Sequence, residues 1–349
     1  MRRALLPALV LCLLALSSSA QAQPAAYTLY ATPQQRIEVA PGRYIHMVCM
    51  GQGSPTVILS AGADGWSADW RLVQPAIAKK TRVCGWDRAG HGFSSGSPEP
   101  QDTAHTEADL EKALAGAGVT GPLVLVAHSL GAFETFLFAD RHPERVAGMV
   151  LVDPSAPDQA ERLPQAAPAL MAWSARSDEA FFDVIRGCIA ALKAGGPAPS
   201  PDCTKLRSRY PEPLRTNLLG AQNDPLYWES FLSMFQSQKL SSKLAINPKR
   251  NYGNMPLVVL HAGRFAFPSA PADAQRDAPA ARAVITADHD AMARLSTRGA
   301  FVPVPDSAHA ISLQKPDVVI DAVDKVINEF RVCASSAGPG GPSCPQSAR

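Results

Sequence analysis

The sequence predicts an α/β protein: a mostly parallel sheet covered by helices on both faces, with a helical insertion near the middle of the chain. Three observations carry this. Short apolar runs bounded by turn residues alternate with helix-like segments across residues 35–154. The run Leu123-Val124-Leu125-Val126-Ala127 is apolar without alternation, as in a strand buried on both faces. The alternation lapses over about 155–254 and then resumes.

The elements follow in chain order. Residues 35–39 and 44–50 read as a strand pair joined at Pro41-Gly42. Further strands are expected at 56–60, 82–86, 123–127 and 146–152, with helices at 67–78, 106–117 and 130–141. The stretch 155–254 is rich in Pro, Ala, Ser and charge, with helical pieces at 179–194 and 224–238 and no strong strand. Strands return at 257–261 and 300–304. A last helix over 316–331 opens on Pro316 and places Val318, Val319, Ala322, Val326, Ile327 and Phe330 at helical spacing. No internal repeat is present.

Length and composition agree with this architecture. A chain of 349 residues, 46% hydrophobic and 18% charged, buries a large core and is not a disordered composition. The net charge of +2, with no basic excess or charge block, points away from nucleic acid as a partner.

Residues 1–22 have the layout of a cleaved signal peptide. Arg2 and Arg3 precede an apolar run from Ala4 to Leu16, and small residues Ala20 and Ala22 mark a cut after position 22. The run is shorter than the ~20 residues that span a bilayer, so cleavage is expected rather than anchoring. Loss of Arg2 and Arg3 takes the net charge from +2 to 0. A periplasmic or extracellular location follows. The expected organisation is 1–22 signal peptide, 23–154 first part of the core, 155–254 helical cap, 255–333 second part of the core, and 334–349 tail.

Beyond Cys12 the chain has six cysteines, an even number suited to an oxidising compartment. Sequential pairing is expected: Cys188 with Cys203 and Cys333 with Cys344, each flanking a loop. Cys49 and Cys84 either pair or serve as small core residues. Without close CxxC or HxxxH spacing, no metal site or cofactor is expected.

The sharpest chemical pattern is Val126-Ala127-His128-Ser129-Leu130-Gly131-Ala132, in which a buried strand ends, a serine follows and a helix starts at once. Such a turn lifts the serine hydroxyl above the sheet. Ala127 and Gly131 are small enough to let strand and helix pack closely. The Leu130 N–H falls at a helix N-terminus, where negative charge is favoured. A serine hydroxyl is a poor nucleophile on its own and needs a base.

Five motifs in order make the chain resemble the α/β-hydrolase family over about residues 35–331, apart from the middle. They are Ile58-Leu59-Ser60-Ala61-Gly62-Ala63, Trp86-Asp87-Arg88-Ala89-Gly90-His91-Gly92-Phe93-Ser94, the serine turn, Val150-Leu151-Val152-Asp153-Pro154-Ser155, and Asp306-Ser307-Ala308-His309. Ala127 stands where the family's Gly-x-Ser-x-Gly usually has its first glycine, and Ala61 where a His-Gly pair usually has histidine. The resemblance implies an eight-stranded α/β-hydrolase fold with a helical cap. It also implies Ser129 as nucleophile and His309, after the last strand, as the base. Backbone N–H groups of Leu130 and Ala63 would form the oxyanion hole.

The triad acid stays open. Many relatives carry it after the penultimate strand, where the first carboxylate here is Asp273. Others carry it after the strand following the nucleophile, which is Asp153. Asp288 and Asp290 remain behind these two, with Asp153 preferred. His128 reads as structural and directed into the packing, His91 as shaping the pocket, and His261 as a weak competitor for the base.

The implied reaction is acyl transfer to water at a carboxylic ester or related acyl bond of a small molecule. An amidase or peptidase on the same triad, and an inactive binding protein on this fold, are the competing readings. Trp173, Phe181, Phe182, Tyr227, Trp228, Phe231, Met234 and Phe235 are candidates for an acyl pocket, although most of them suit the core of the cap itself.

Overall fold

A computed structural model describes residues 27–195 and 200–336. The proposed signal peptide and tail therefore lie outside the described residues, apart from the last few residues before 337.

The chain opens with β1 (Gln35–Ala40) and β2 (Arg43–Met50), an antiparallel pair closed at Gly42, whose φ of +70° suits a tight turn. Then come β3 (Thr56–Ser60), α1 (Gln74–Ile77), β4 (Val83–Trp86), α2 (Thr103–Gly116), β5 (Leu123–His128), α3 (Gly131–Arg141) and β6 (Val146–Val152). Six helices follow: α4 (Gln159–Ala166), α5 (Pro168–Lys193), α6 (Pro201–Arg207), α7 (Leu214–Ala221), α8 (Pro225–Gln236) and α9 (Gln238–Leu244). The chain returns to the sheet with β7 (Leu257–Ala262), α10 (Ala272–Ala293) and β8 (Gly299–Val304), and closes with α11 (Ile311–Gln314) and α12 (Pro316–Ser336).

The eight strands form one sheet in the order β1-β2-β4-β3-β5-β6-β7-β8. The pairs β1·β2 and β2·β4 are antiparallel and all others parallel. The central run of β5 shows why parallel strands carry continuous apolar sequence. Leu123, Leu125 and Ala127 enter the core under α2 and α3, while Val124 and Val126 enter the core under α1 and α12. Each fully buried Leu or Val is worth roughly 1.5–3 kcal/mol of transfer free energy, so both faces of this strand contribute.

Between β6 and β7 no strand occurs among the described residues, as the lapse in alternation predicts. The long α5 begins at Pro168, eleven residues before the predicted 179, because Pro fits the first turn of a helix. Asp224 caps α8, its carboxylate accepting the Leu226 N–H at 2.9 Å. One long element is not foreseen by periodicity: α10, of 22 residues, is alanine-rich, carries Pro279 inside it and has only a weak apolar stripe.

Two disulfides are present. Cys49–Cys84 ties neighbouring residues of β2 and β4, and Cys188–Cys203 ties α5 to α6. Cys333 is in α12, and its expected partner Cys344 lies outside the described residues. Among the described residues no helix is long and apolar enough to cross a membrane.

Candidate active site

The C-terminal ends of β5, β6 and β8 converge on one point. Between the end of β5 at His128 and the start of α3 at Gly131 only two residues make the turn. Ser129 takes φ +52°, a left-handed conformation unfavourable for a side chain and maintained by its surroundings. Its N–H donates to the Val152 carbonyl at 3.2 Å, and its own carbonyl accepts from Ala132 at 3.1 Å and Ser155 at 2.9 Å.

Gly131 is required by contact rather than by dihedral angle. A Cβ there would sit 2.7 Å from the Ala61 carbonyl oxygen and 2.8 Å from that of Ser60. Gly131→Ala is therefore expected to destabilise the fold by about 1–3 kcal/mol, as overpacking does, even though alanine favours helix. Urea unfolding measures this. Unchanged or raised stability would show that the loop after β3 gives way freely.

His309 lies in the loop between β8 and α11. Its Nε2 is 2.9 Å from Ser129 Oγ and its Nδ1 is 2.6 Å from Asp153 Oδ2. The carboxylate takes the Nδ1–H, which leaves Nε2 to accept the serine proton. Asp153 follows β6 directly at φ +44°. Its N–H donates to Leu260 at 2.8 Å, and its Oδ1 accepts the Ala262 N–H at 2.9 Å. Burial pushes the Asp153 carboxyl up, but the hydrogen bond and charge of His309, with the Ala262 N–H, outweigh it and hold the group below the usual carboxylate range. The imidazole side chain is 58% exposed, so the site is open to solvent.

The other candidate acids lie elsewhere. Asp273 is exposed in the first turn of α10, where its Oδ1 accepts the Ala274 N–H. Asp288 pairs with Arg162 at 2.6 Å, and Asp290 pairs with Arg294. His261 does not face Ser129; its Nδ1 lies 2.9 Å from His289 Nδ1, behind Asp153. His128 does not point into the packing as expected. Its ring lies against that of His309 at 4.5 Å, and its Nε2–H donates to the His309 carbonyl at 2.9 Å, bracing the loop that carries His309. Burial and the neighbouring His309 push it down to about 4, which keeps the ring neutral.

The loop after β3 carries Ala63 beside the serine turn. Neither the Ala63 nor the Leu130 N–H has a hydrogen-bond partner among the described residues. The loop is clamped from behind by Arg88, a buried residue of the Trp86–Ser94 motif. Arg88 donates to the carbonyls of Gly62 at 3.0 Å and Ala61 at 2.7 Å, and holds Glu134 of α3 through two contacts of 2.9 and 2.5 Å. Removing one partner of such a buried pair typically costs about 3–5 kcal/mol, because the other charge is stranded. From the cap, Arg209 bonds the Asp64 carboxylate at 2.7 Å and its carbonyl at 2.9 Å. Sequence reasoning missed the roles of Arg88, Glu134 and Arg209, since only the fold joins such distant positions.

His91 completes this support, its Nε2–H donating to the Ala63 carbonyl at 2.9 Å. Burial and the charge of Arg88 push it down to about 4. The unfolded chain takes up this proton near pH 6.5, the folded chain only near pH 4. Its contribution is thus complete above about pH 6.5 and is lost as pH falls to about 4, on the order of 3 kcal/mol. Unfolding free energies measured between pH 7 and 4.5 are expected to fall less steeply for His91→Asn than for the parent; equal slopes would remove this group from the acid response.

Of the aromatic candidates, Phe181, Phe182, Tyr227, Trp228, Phe231 and Phe235 pack together as the cap's own core. Trp173 packs with Leu170 and Phe267. Met234 alone among them joins Leu130, Phe133 and Ala63 at the site.

The alpha/beta hydrolase fold family matches residues 55–190. A thermophilic esterase from Thermogutta terrifontis superposes with a TM-score of 0.53 at 20% identity, covering 85% of this chain and 99% of that one.

The chain has the α/β-hydrolase fold.

Stretches of the chain are also similar to curated proteins. An uncharacterized protein of Schizosaccharomyces pombe is 44% identical over 81 residues, 23% of this chain and 15% of that one. A 2-hydroxymuconate semialdehyde hydrolase from Pseudomonas sp. strain CF600 is 31% identical over 116 residues, 33% of this chain and 41% of that one. The chain spans less than half the length of the curated relatives it matches.

Proposed function

We propose that this protein is a serine hydrolase that cleaves a carboxylic ester or closely related acyl bond of a small molecule. The observation that carries the reading is the unbroken chain from Ser129 Oγ through His309 to Asp153, with contacts of 2.9 and 2.6 Å. His309 Nε2 takes the hydroxyl proton as Ser129 attacks the acyl carbon, and Asp153 stabilises the imidazolium that forms. The oxyanion that develops is met by the N–H groups of Leu130 and Ala63. His309 returns its proton to the leaving group, which departs and leaves an acyl-enzyme. Water, deprotonated by the same imidazole, then releases the acid.

Leu130, Phe133 and Met234 form a buried apolar cluster against Ala63, backing the place proposed for the acyl chain. The named hydrolases among its relatives and neighbours support a hydrolytic reading without fixing the bond. The two disulfides support residence in an oxidising compartment, in keeping with secretion.

The reading is tested with p-nitrophenyl acetate, butyrate and octanoate. Turnover is expected, and Met234→Ala is expected to change the ratio of kcat/KM between butyrate and acetate by about 3- to 10-fold through lost apolar contact. Absence of turnover on all three esters would overturn the ester reading.

A further inference from the structure

Behind the Asp153 carboxylate, on the side away from His309, two histidines face each other across a short gap. His261 is on β7 and His289 on α10, and their Nδ1 atoms are 2.9 Å apart. The contacts of the outer nitrogens bear on where the protons sit. His289 Nε2 is 2.8 Å from the Pro154 carbonyl, which only accepts, so Nε2 carries the hydrogen and Nδ1 a lone pair. His261 Nε2 is 3.2 Å from Thr286 Oγ1. With its single proton on the Arg282 carbonyl at 2.8 Å, the shorter of its two contacts, that hydroxyl accepts from His261. In this arrangement neither Nδ1 carries a hydrogen, both lone pairs open on one space, and Asp153 Oδ1 faces it at 4.0 Å from His261 and 3.8 Å from His289. Three electron-pair donors converge there, and a cation is what they lack.

We propose that Asp153, His261 and His289 form a binding site for a divalent transition metal of the zinc class. One ion about 2.1 Å from every donor atom spans all three separations, which is the ordinary zinc–nitrogen and zinc–oxygen distance. The three groups are within reach of one another without rearrangement and are largely buried. Each imidazole has the outer hydrogen bond that metal-ligating histidines characteristically make, one to a carbonyl and one to a hydroxyl. Two imidazoles and one carboxylate suit zinc better than magnesium or calcium, with the fourth position left to water.

The site shares a carboxylate with the proposed triad, and that gives it a consequence resting on the hydrolase reading. Zinc on Oδ1 draws the charge of Asp153 away from the imidazolium that Oδ2 must stabilise. Filling the site slows turnover.

The test is direct zinc binding to chelator-stripped protein, by equilibrium dialysis against ZnCl2, with turnover of p-nitrophenyl acetate read in parallel. Expected is one zinc per chain at micromolar or lower free zinc, weakened at least 100-fold in His289→Asn and in His261→Asn. His142→Asn and Cys333→Ser, which remove the acidic cluster Glu107, Glu111 and His142 and the thiol as rival ligands, are expected to retain it. Zinc-edge absorption of the parent protein, which needs no variant to fold, is expected to show two imidazoles and oxygen at about 2.0–2.1 Å. No stoichiometric binding by folded parent protein, or binding that both histidine variants retain, would overturn the site. Ester turnover is expected to fall at least 10-fold on saturation and to recover with EDTA. Zinc bound with turnover unaltered overturns the inhibition alone. Zinc bound with no turnover in either state sinks the hydrolase reading and leaves the metal site standing.

Discussion

Ser129→Ala is expected to lower kcat for p-nitrophenyl esters by about five to six orders of magnitude, leaving KM nearly unchanged. The variant keeps the N–H groups of Leu130 and Ala63, and His309, but nothing is left to form the acyl-enzyme. Triad members act as a unit, so loss of the nucleophile alone removes most of the catalysis the unit supplies. What persists is water attack assisted by the remaining backbone donors. The left-handed turn at φ +52° does not depend on the hydroxyl, so stability is expected to stay within about 1 kcal/mol of the parent. Steady-state kinetics at high enzyme concentration reads the rate. A loss smaller than 100-fold would mean that Ser129 is not the nucleophile.

The second large effect is on the acid. Asp153→Asn is nearly isosteric, and Oδ1 can still accept the Ala262 N–H. The amide nitrogen then replaces Oδ2 at 2.6 Å from His309 Nδ1 and presents a hydrogen to it. Nδ1 must accept, so the neutral ring carries its proton on Nε2, facing Ser129. Held in that tautomer, His309 cannot take the serine proton, and kcat is expected to fall by about four orders of magnitude. Asp273→Asn, 120 residues further along and exposed on α10, is expected to leave the rate within 2-fold. The opposite ranking of these two variants would move the acid to Asp273.

These two carboxylates show how far sequence carries. Ser129 and His309 are legible because local pattern fixes them: a buried strand that ends at once in a helix, and a loop between the last strand and the last helix. The strand set is legible for the same reason, since parallel strands buried on both faces read as unbroken apolar runs. The acid is less legible. Asp153 and Asp273 both follow strands, and only the pairing of Asp153 with Leu260 and Ala262 brings its carboxylate to the base.

Helix α10 escaped because alanine-rich sequence with an internal proline has little periodicity. The His261–His289 contact is invisible for a related reason, as the partners sit 28 positions apart on a strand and a helix. Close motif spacing, the usual mark of a metal site, is absent here; the fold supplies the proximity instead. His128 is structural, as its place beside the turn suggests, but adjacency to Ser129 in sequence says nothing about which side of the turn its ring takes.

The central claim is that Ser129 is a nucleophile activated by His309 and Asp153. The most direct measurement is reaction of the folded protein with a fluorophosphonate probe, followed by intact mass and peptide mapping. The account predicts one label per chain on Ser129, absent in Ser129→Ala and slowed by orders of magnitude in Asp153→Asn. A folded protein that takes up no label, or a label that persists in Ser129→Ala, would contradict it.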